Sequence, residues 1–181
     1  CALPIWTLLF DYLRFIDRYR PSVFLLENVP GLLDIDGGEQ LASALEILGS
    51  IGYKVSNPVV LNAADHGVPQ NRLRAFVVGS LSREFVFPGK LPLRVPCYTA
   101  LSRSFENVEN HVTRRHKPES LLRYMELDYG QRDHLGRVDR LDPLLPSKTV
   151  IAGGTRGGGR SHLHPFVPRT LSVRECARLQ T

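Results

Sequence analysis

Residues 22–79 alternate between strand-like and helical segments in an order that few folds share. Residues 22–28 form an almost continuous apolar run of strand length, typical of a parallel strand buried on both faces. Leucine and isoleucine recur at helical spacing over residues 39–49, and a second strand-like stretch covers residues 53–61. Strand, helix and strand in this order predict a βαβ unit with a right-handed crossover.

An amphipathic helix and a further strand extend this predicted layer. Apolar residues recur at helical spacing over residues 5–20. Residues 74–79 form another apolar run, joined to the strand at 53–61 by a loop, so these two strands should be antiparallel. This arrangement brings Arg74 to the sheet edge where Glu27 ends the first strand. Open α/β sheets bind their ligands at that edge.

Charge is distributed unevenly along the 181 residues. Residues 1–81 carry 6 Lys and Arg against 8 Asp and Glu, a net charge of −2, whereas residues 82–181 carry 17 against 10, a net charge of +7. A basic second part predicts a polyanion partner, because cationic side chains displace the counterions of phosphate backbones. A basic surface kept for solubility is the alternative interpretation.

Composition narrows the class of protein further. No apolar stretch approaches the roughly 20 residues needed to span a bilayer, so no membrane partner is expected. The three cysteines, Cys1, Cys97 and Cys176, have no Cys-x-x-Cys spacing, and therefore predict neither a disulfide framework nor a metal site. They indicate thiols of a reducing compartment. We expect a cytoplasmic protein, associated with the nucleoid if it is bacterial.

Two groups of polar residues are candidates for chemistry. Glu27 ends an apolar strand and is a candidate proton donor, although a structural carboxylate bonded to the turn amides at 29–31 is the commoner case. Gln70, Arg72 and Arg74 alternate, so they share one face of an extended segment. Two neighbouring guanidiniums favour an anion or a carbonyl-rich ligand between them, or acidic neighbours at the surface.

Four blocks of the sequence, taken in order, resemble the later blocks of DNA cytosine-5 methyltransferases. They are Phe24-Leu-Leu-Glu-Asn-Val-Pro-Gly31, Ala64-Asp-His-Gly-Val-Pro-Gln-Asn-Arg-Leu-Arg74, Pro146-Ser-Lys-Thr149, and His164-Pro165 followed by Arg169-Thr-Leu-Ser-Val-Arg-Glu-Cys-Ala-Arg-Leu-Gln180. The resemblance implies an α/β fold: a partial Rossmann-like sheet of an S-adenosylmethionine-dependent methyltransferase, followed by a small irregular target recognition domain. It divides the chain into a catalytic part (1–81), a recognition region (82–139) and an anchor that returns to the catalytic domain (140–181).

The resemblance also implies roles for single residues. In this family the Glu of the Glu-Asn-Val block hydrogen-bonds the target cytosine at N3 and N4, which falls on Glu27. The last Arg of the Gln-x-Arg-x-Arg block contacts the cytosine O2, which falls on Arg74, and Arg72 helps to position the nucleophile and the backbone. Leu8 would border the adenine of S-adenosylmethionine, although an ordinary core leucine is equally expected there.

Several residues are expected to contact DNA. In relatives the Pro-Ser-x-Thr block (here Ser147 and Thr149) and the upstream Arg140 anchor the recognition domain and touch phosphates, and Lys148 stands where Pro is usual. Asn28, beside Glu27, is expected at the DNA as well. Within the recognition region the basic candidates are Arg114, Arg115, Lys117, Arg123, Arg132 and Arg137, each of which is alternatively a solvated surface charge.

Two family features do not occur in this sequence. There is no Phe-x-Gly-x-Gly loop for the methyl donor, and no Pro-Cys nucleophile precedes residue 22. Pro96-Cys97 has the right dipeptide but lies downstream of the first two blocks, which favours a chance pair. We therefore expect an internal fragment that transfers no methyl group by itself.

The implied reaction is methyl transfer from S-adenosylmethionine to C5 of a cytosine flipped out of duplex DNA. The implied partner is double-stranded DNA, and the chain itself is expected to be a monomer. Whether a restriction endonuclease is paired with it stays open. Two alternatives stay open: a tRNA cytosine-5 methyltransferase relative, which shares these blocks, and a non-catalytic DNA-binding module.

Overall fold

The computed structural model describes residues 5–102, 108–151 and 162–181. They form two compact units. The first contains the residues up to 61 together with 73–89, and the second contains 62–72 and the residues from 90 onward. The loop 62–72 is thereby grouped with the C-terminal part of the chain rather than with the strands on either side of it.

The first unit is built on a four-stranded sheet. Its strands are β1 (Val23–Asn28), β2 (Lys54–Val55), β3 (Val59–Asn62) and β4 (Leu73–Ser80). β4 is paired with each of the other three strands, and it is antiparallel to both β1 and β2. β1 and β2 therefore run parallel to each other with β4 between them. The predicted order of strands along the chain is confirmed. β4 lies between β1 and β2, the two strands of the predicted βαβ unit.

Two helices cover one face of this sheet. They are α1 (Ile5–Tyr19) and α2 (Glu39–Ser50), close to the predicted helices at 5–20 and 39–49. The spacing of the apolar residues turns one side of each helix toward the sheet. The buried core that results consists of Leu9, Leu13, Ile16, Phe24, Ala44, Leu48, Tyr53 and Val77.

Two expectations for the strands are wrong. The predicted strand at 53–61 is interrupted between β2 and β3, where Pro58 cannot donate a ladder hydrogen bond. β1 is not buried on both faces, because Val23 and Leu25 are 55% and 56% exposed. Successive residues of a strand point to opposite faces, and the helices cover only the face of Phe24.

The second unit is less regular and has two small cores. Its helices are α3 (Tyr98–Leu101), α4 (Pro118–Glu126) and α5 (Val173–Arg178), and its hairpin pairs β5 (Arg132–Asp133) with β6 (Val138–Asp139). One core gathers around Cys97 and Leu179, and the other around Tyr124 and Leu163. Ser172, whose residue type favours the N-cap position, caps α5: it accepts a hydrogen bond from the Glu175 amide, and the Glu175 side chain accepts one from the Ser172 amide.

Ion pairs join the loop 62–72 to the rest of the second unit. The carboxylate of Asp65 lies 2.6 Å from Nη2 of Arg94 and 3.2 Å from Nζ of Lys90. The hydrogen bond from Arg94 is the main cause that holds the pKa of Asp65 below its usual value. Within the described ranges, no helix combines the length and apolar character required to cross a membrane.

The close packing of Gly79 against Phe24 predicts a steric effect on the first unit. A Cβ at Gly79 would overlap the Phe24 ring, so Gly79→Ala should lower the free energy of unfolding by about 1–3 kcal/mol. Gly49→Ala is the control, because nothing lies within 4 Å of a Cβ at this helical position. It should stabilise the protein by about 0.5–1 kcal/mol. Equal effects of the two substitutions in thermal or urea unfolding would contradict this account.

Candidate active site and DNA-binding surface

Glu27 and Arg74 form an ion pair on the exposed face of the sheet in the first unit. Nε of Arg74 lies 2.9 Å from Oε1 of Glu27, and the two side chains are 19% and 44% exposed respectively. The register places Glu27 opposite Phe76, so Arg74 is its diagonal neighbour on the same face. The convergence predicted from the order of the strands is therefore observed.

A backbone carbonyl holds the Arg74 end of this pair, and Asn28 bonds the turn beside its Glu27 end. Nη1 of Arg74 donates to the Leu73 carbonyl at 2.7 Å. At the end of β1 the Val29 amide donates to Oδ1 of Asn28 at 2.8 Å. The Val29 amide is thus bonded to the Asn28 side chain, while Glu27 is paired with Arg74. The alternative of a Glu27 carboxylate bonded to the turn amides therefore does not hold for the Val29 amide.

The pair has the chemistry of a recognition site for a planar polar ligand. An ion pair with this much exposure contributes about 0.2–1 kcal/mol to stability, so its atoms can exchange this contact for a ligand at little cost. The contacts described above do not use Oε2 of Glu27 or Nη2 of Arg74. A ligand that carries a donor beside an acceptor matches these two atoms.

Leu8 lies at the rim of a cavity rather than in the core. Its side chain is 59% exposed, so the alternative of an ordinary core leucine is wrong. The cavity has a volume of about 110 Å³ and is lined by Leu8, Leu9, Tyr12, Leu26, Asn28 and Leu32. This largely apolar lining fits one edge of an adenine ring, and the volume is too small to enclose all of S-adenosylmethionine.

Asn62 closes the loop that carries Arg72 in the second unit. Its Oδ1 accepts hydrogen bonds from the Ala64 and Arg72 amides at 3.2 and 2.9 Å. The Ala63 amide also donates to the Arg72 carbonyl at 3.0 Å. The backbone of Arg72 is therefore held firmly, and the predicted role of its side chain stays a prediction.

The Pro-Ser-Lys-Thr block is tied to the same loop. The Asn71 amide donates to the Ser147 carbonyl at 2.8 Å, and the Ser147 amide donates to the Pro69 carbonyl at 3.0 Å. The Thr149 hydroxyl donates to the Asn71 carbonyl at 2.6 Å. These bonds join two blocks that lie more than 70 residues apart in sequence, and they explain how the block anchors this unit.

A family model described as C-5 cytosine-specific DNA methylase matches residues 3–94, just over half of the chain. This chain belongs to the C-5 cytosine-specific DNA methylase family. Type II methyltransferase M.BbvI of Brevibacillus brevis is 31% identical to it over 199 residues, which cover 96% of this chain and 52% of that protein. The chain spans about half the length of the curated relatives that it matches from end to end.

Solved structures of methyltransferases share the fold. A prophage-encoded protein of E. coli, described as a DNA modification methyltransferase, matches with a TM-score of 0.81 at 21% identity, covering 96% of this chain and 63% of that protein. The S. pombe Dnmt2 methyltransferase matches with a TM-score of 0.61 at 16% identity, covering 94% and 57% respectively. These similarities confirm the predicted fold class.

Three of the residues expected to touch DNA are hydrogen-bonded or buried inside the second unit. The Arg140 guanidinium donates to the Pro165 carbonyl and, at 2.6 Å, to the Leu127 carbonyl, and it stacks on the Tyr129 ring. Ser147 is 1% exposed, and the Thr149 hydroxyl is already bonded. Side chains bonded or buried in this way are poorly placed for a phosphate contact, so we leave them out of the proposed DNA surface.

The structure sorts the other basic candidates by charge pairing. Arg123 lies 3.2 Å from the Asp133 carboxylate, and Arg132 lies 3.2 Å from that of Asp139. Four candidates are exposed and form no ion pair with any residue that the structure describes: Arg114, Arg115, Lys117 and Arg137. Three of these four lie within one loop, which concentrates unneutralised positive charge there.

Cys97 is unsuited to be the nucleophile of a methylase. Its side chain is fully buried, and the thiol donates to the Asp142 carbonyl at 3.1 Å. Burial, and to a smaller extent the charge of Asp142, raises the pKa of Cys97 to about 11. Since the thiolate is the reactive form, the interpretation of Pro96-Cys97 as a chance pair is supported.

Glu175 is a buried charge on which the last block depends. Its carboxylate accepts two hydrogen bonds from the Arg169 guanidinium, both at 2.8 Å, and one from the Ser172 amide at 2.7 Å. Burial alone would raise the pKa of Glu175, but these bonds outweigh it and hold the pKa below its usual value. The carboxylate therefore stays charged inside the unit.

Removing the charge of Glu175 should destabilise the second unit. Glu175→Gln leaves the Arg169 guanidinium, which is 19% exposed, without its counter-ion, and should cost about 3 kcal/mol in the free energy of unfolding. Glu126→Gln, at an exposed position on α4, is the matched control and should change it by less than about 0.5 kcal/mol. Urea unfolding followed by circular dichroism measures both. Equal stabilities of the two variants would refute the structural role of Glu175.

The same unit should lose stability in acid. Burial lowers the pKa of His162 and His164 below the ordinary value of 6.5. The unfolded chain therefore takes up protons before the folded chain does, and stability should fall as the pH drops below about 6.5. A second loss should follow below 4.5, the ordinary value for Glu175, as the pH passes through its lowered pKa. A midpoint of unfolding that is constant between about pH 7 and pH 5 would contradict the first effect, and one that is constant between about pH 5 and pH 2 would contradict the second.

Proposed function

We propose that this chain is part of a DNA cytosine-5 methyltransferase, which transfers a methyl group from S-adenosylmethionine to C5 of a cytosine in duplex DNA. The Glu27–Arg74 pair is the observation that carries the proposal. Its carboxylate and guanidinium lie 2.9 Å apart, on the two segments that the family uses to hold the target base. Membership of the methylase family supplies the class of reaction.

The reaction needs both groups because C5 of cytosine is a poor nucleophile. Addition of a thiolate to C6 places electron density on the ring and makes C5 reactive. Glu27 would hold the N3 and N4 edge of the base, and Arg74 would stabilise the charge that develops at O2. A donor aimed at developing charge is typically worth about 3 kcal/mol. The target base must leave the helix to reach them.

The cofactor and the DNA would meet different parts of the chain. S-adenosylmethionine supplies an electrophilic methyl group, and we propose that Leu8 and the apolar cavity beside it contact the edge of its adenine. The proposed DNA surface in the second unit is the exposed basic set Arg114, Arg115, Lys117 and Arg137. Asn28 remains a proposed DNA contact, and Arg72 keeps its proposed role in positioning the nucleophile and the backbone.

The remaining proposals concern partners and location. We propose a monomer that acts on double-stranded DNA in the cytoplasm, accompanied by a restriction endonuclease as the type II relatives' names suggest. The tRNA methyltransferase alternative gains no support, because the similarity to Dnmt2 at 16% identity concerns the fold alone. A DNA-binding module without catalysis would not need the Glu27–Arg74 pair.

Glu27→Gln tests the role of the carboxylate. In a full-length enzyme that contains this chain, the substitution should cut turnover about a hundredfold or more, while it leaves DNA affinity within about threefold, since the group acts mainly on the altered ring. Transfer of labelled methyl groups in single-turnover assays and DNA titration measure the two effects. Glu46→Gln, at an exposed position on α2 of the same unit, is the control. A near-normal single-turnover rate for Glu27→Gln would refute the assignment.

Salt dependence tests the DNA surface in the chain as it stands. If three to five phosphates are contacted, affinity should fall by roughly one and a half to three decades between about 50 and 200 mM salt. Arg114→Ala with Arg115→Ala should flatten the log–log slope by about 1.8. Arg14→Ala with Arg18→Ala removes the same charge from exposed positions of the first unit and should leave the slope nearly unchanged. Tight binding without salt dependence would contradict phosphate contacts.

A further inference from the structure

The basic loop, which we define as residues 108–117, is fastened at its beginning to α5. The backbone amide of Arg174 donates to the Asn110 carbonyl at 3.1 Å. Nδ1 of His111 lies 2.9 Å from the hydroxyl of Ser172, the N-cap of that helix. These contacts determine where the loop leaves the body of the unit.

A second fastening lies at the other end of the basic loop. Nε2 of His116 accepts a hydrogen bond from the Thr170 amide at 3.2 Å and lies 3.2 Å from the Thr170 hydroxyl. α4 begins two residues later, at Pro118. Arg114 and Arg115 lie between the two fastenings and are exposed.

The chemistry of the His116 contact determines its protonation state. A backbone N–H can only donate, so Nε2 must offer a lone pair and the ring proton must reside on Nδ1. A protonated imidazolium has donors on both nitrogens and cannot accept this bond. The bond from the Thr170 amide therefore exists only with a neutral ring, whereas a protonated Nε2 can donate only to the Thr170 hydroxyl.

The surroundings of His116 favour the neutral ring. From α4 the Tyr124 ring packs edge-on, with the ring centres 5.3 Å apart. The loop itself carries Glu109, Arg114, Arg115 and Lys117, of which Arg114 acts on the His116 ring. Arg169, beside Thr170, is paired with Glu175. Burial, and then the positive charge of Arg114, lower the pKa of His116.

We propose that His116 is a positioning residue, whose neutral ring accepts the hydrogen bond from the Thr170 amide and so holds the basic loop in place, and which loses this bond when the ring is protonated. The inference rests on the proposed function of this loop in binding DNA phosphates. On this proposal the geometry of the proposed DNA surface depends on the protonation of His116, and therefore on pH near the physiological range.

DNA affinity alone would not isolate this effect. Protonation of His116 adds a positive charge beside Arg114, which by itself would strengthen phosphate binding. Release of the loop would weaken it. The hydrogen bond between the Thr170 amide and His116 therefore has to be measured directly.

The first measurement is the exchange of the Thr170 amide hydrogen in the whole chain, corrected for its intrinsic rate. Between about pH 7.5 and 5.5 this exchange should accelerate about fivefold, with the same midpoint as the His116 ring followed by NMR. His116→Gln places a non-titrating oxygen acceptor near Nε2 and should keep the protection at both pH values. His134→Gln, at an exposed position of the same unit, should behave like the unmutated protein. Protection that is independent of pH in the unmutated protein, or an unchanged pH response in His116→Gln, would overturn the proposal.

The second measurement is binding to a DNA duplex at about pH 7.5. His116→Ala, which has no acceptor, should weaken binding about fivefold and flatten the salt slope, whereas His116→Gln should restore both. If Arg114→Ala with Arg115→Ala weakens binding but His116→Ala does not, the positioning role is refuted and the proposed function stands. If exchange of the Thr170 amide depends on pH as expected but the unmutated chain shows no salt-dependent DNA binding, the role of His116 in holding the loop is kept and the proposed DNA surface is refuted.

Discussion

The antiparallel pairing of β1 with β4 is the constraint on which the first unit depends. β4 lies between two parallel strands and is hydrogen-bonded to both, so its register determines which side chains face the helices and which face away. The face that carries Phe24 and Val77 closes the core, and the opposite face carries Glu27 and Arg74. A shift of one residue would exchange these faces, bury the ion pair and expose the core. Folding and assembly of the candidate site are therefore one event.

The second unit uses buried polar groups where the first uses an apolar core. Its two apolar clusters are small, and its segments are joined by backbone bonds between distant blocks and by the carboxylate of Glu175. Such a network is costly to leave partly satisfied, which makes this unit sensitive to acid and to loss of a single charge. The same network supplies the points to which the basic loop is attached.

Electrostatics in the second unit separates structural from functional charge. Arg123, Arg132 and Arg169 each face a carboxylate, and Arg140 is enclosed by carbonyls. Among the basic candidates for DNA contact, positive charge without a described counter-ion is left on one loop and one hairpin. A polyanion would be attracted to that excess, and the paired arginines would contribute little to binding it.

The sequence by itself determined the helices α1 and α2, the strands β1 and β4, the N-cap at Ser172 and the meeting of Glu27 with Arg74, because periodicity, strand order and capping are local or topological properties. It also indicated the family, because the four motifs and their order along the chain can be read directly from the sequence. Only the tertiary structure decided that Leu8 lies at a cavity rim, that Ser147, Thr149 and Arg140 are turned inward, and that Arg123 and Arg132 are neutralised. Likewise, nothing near His116 in sequence points to Thr170, 54 residues away. Burial and charge pairing depend on partners that are distant in sequence, and no local pattern encodes them.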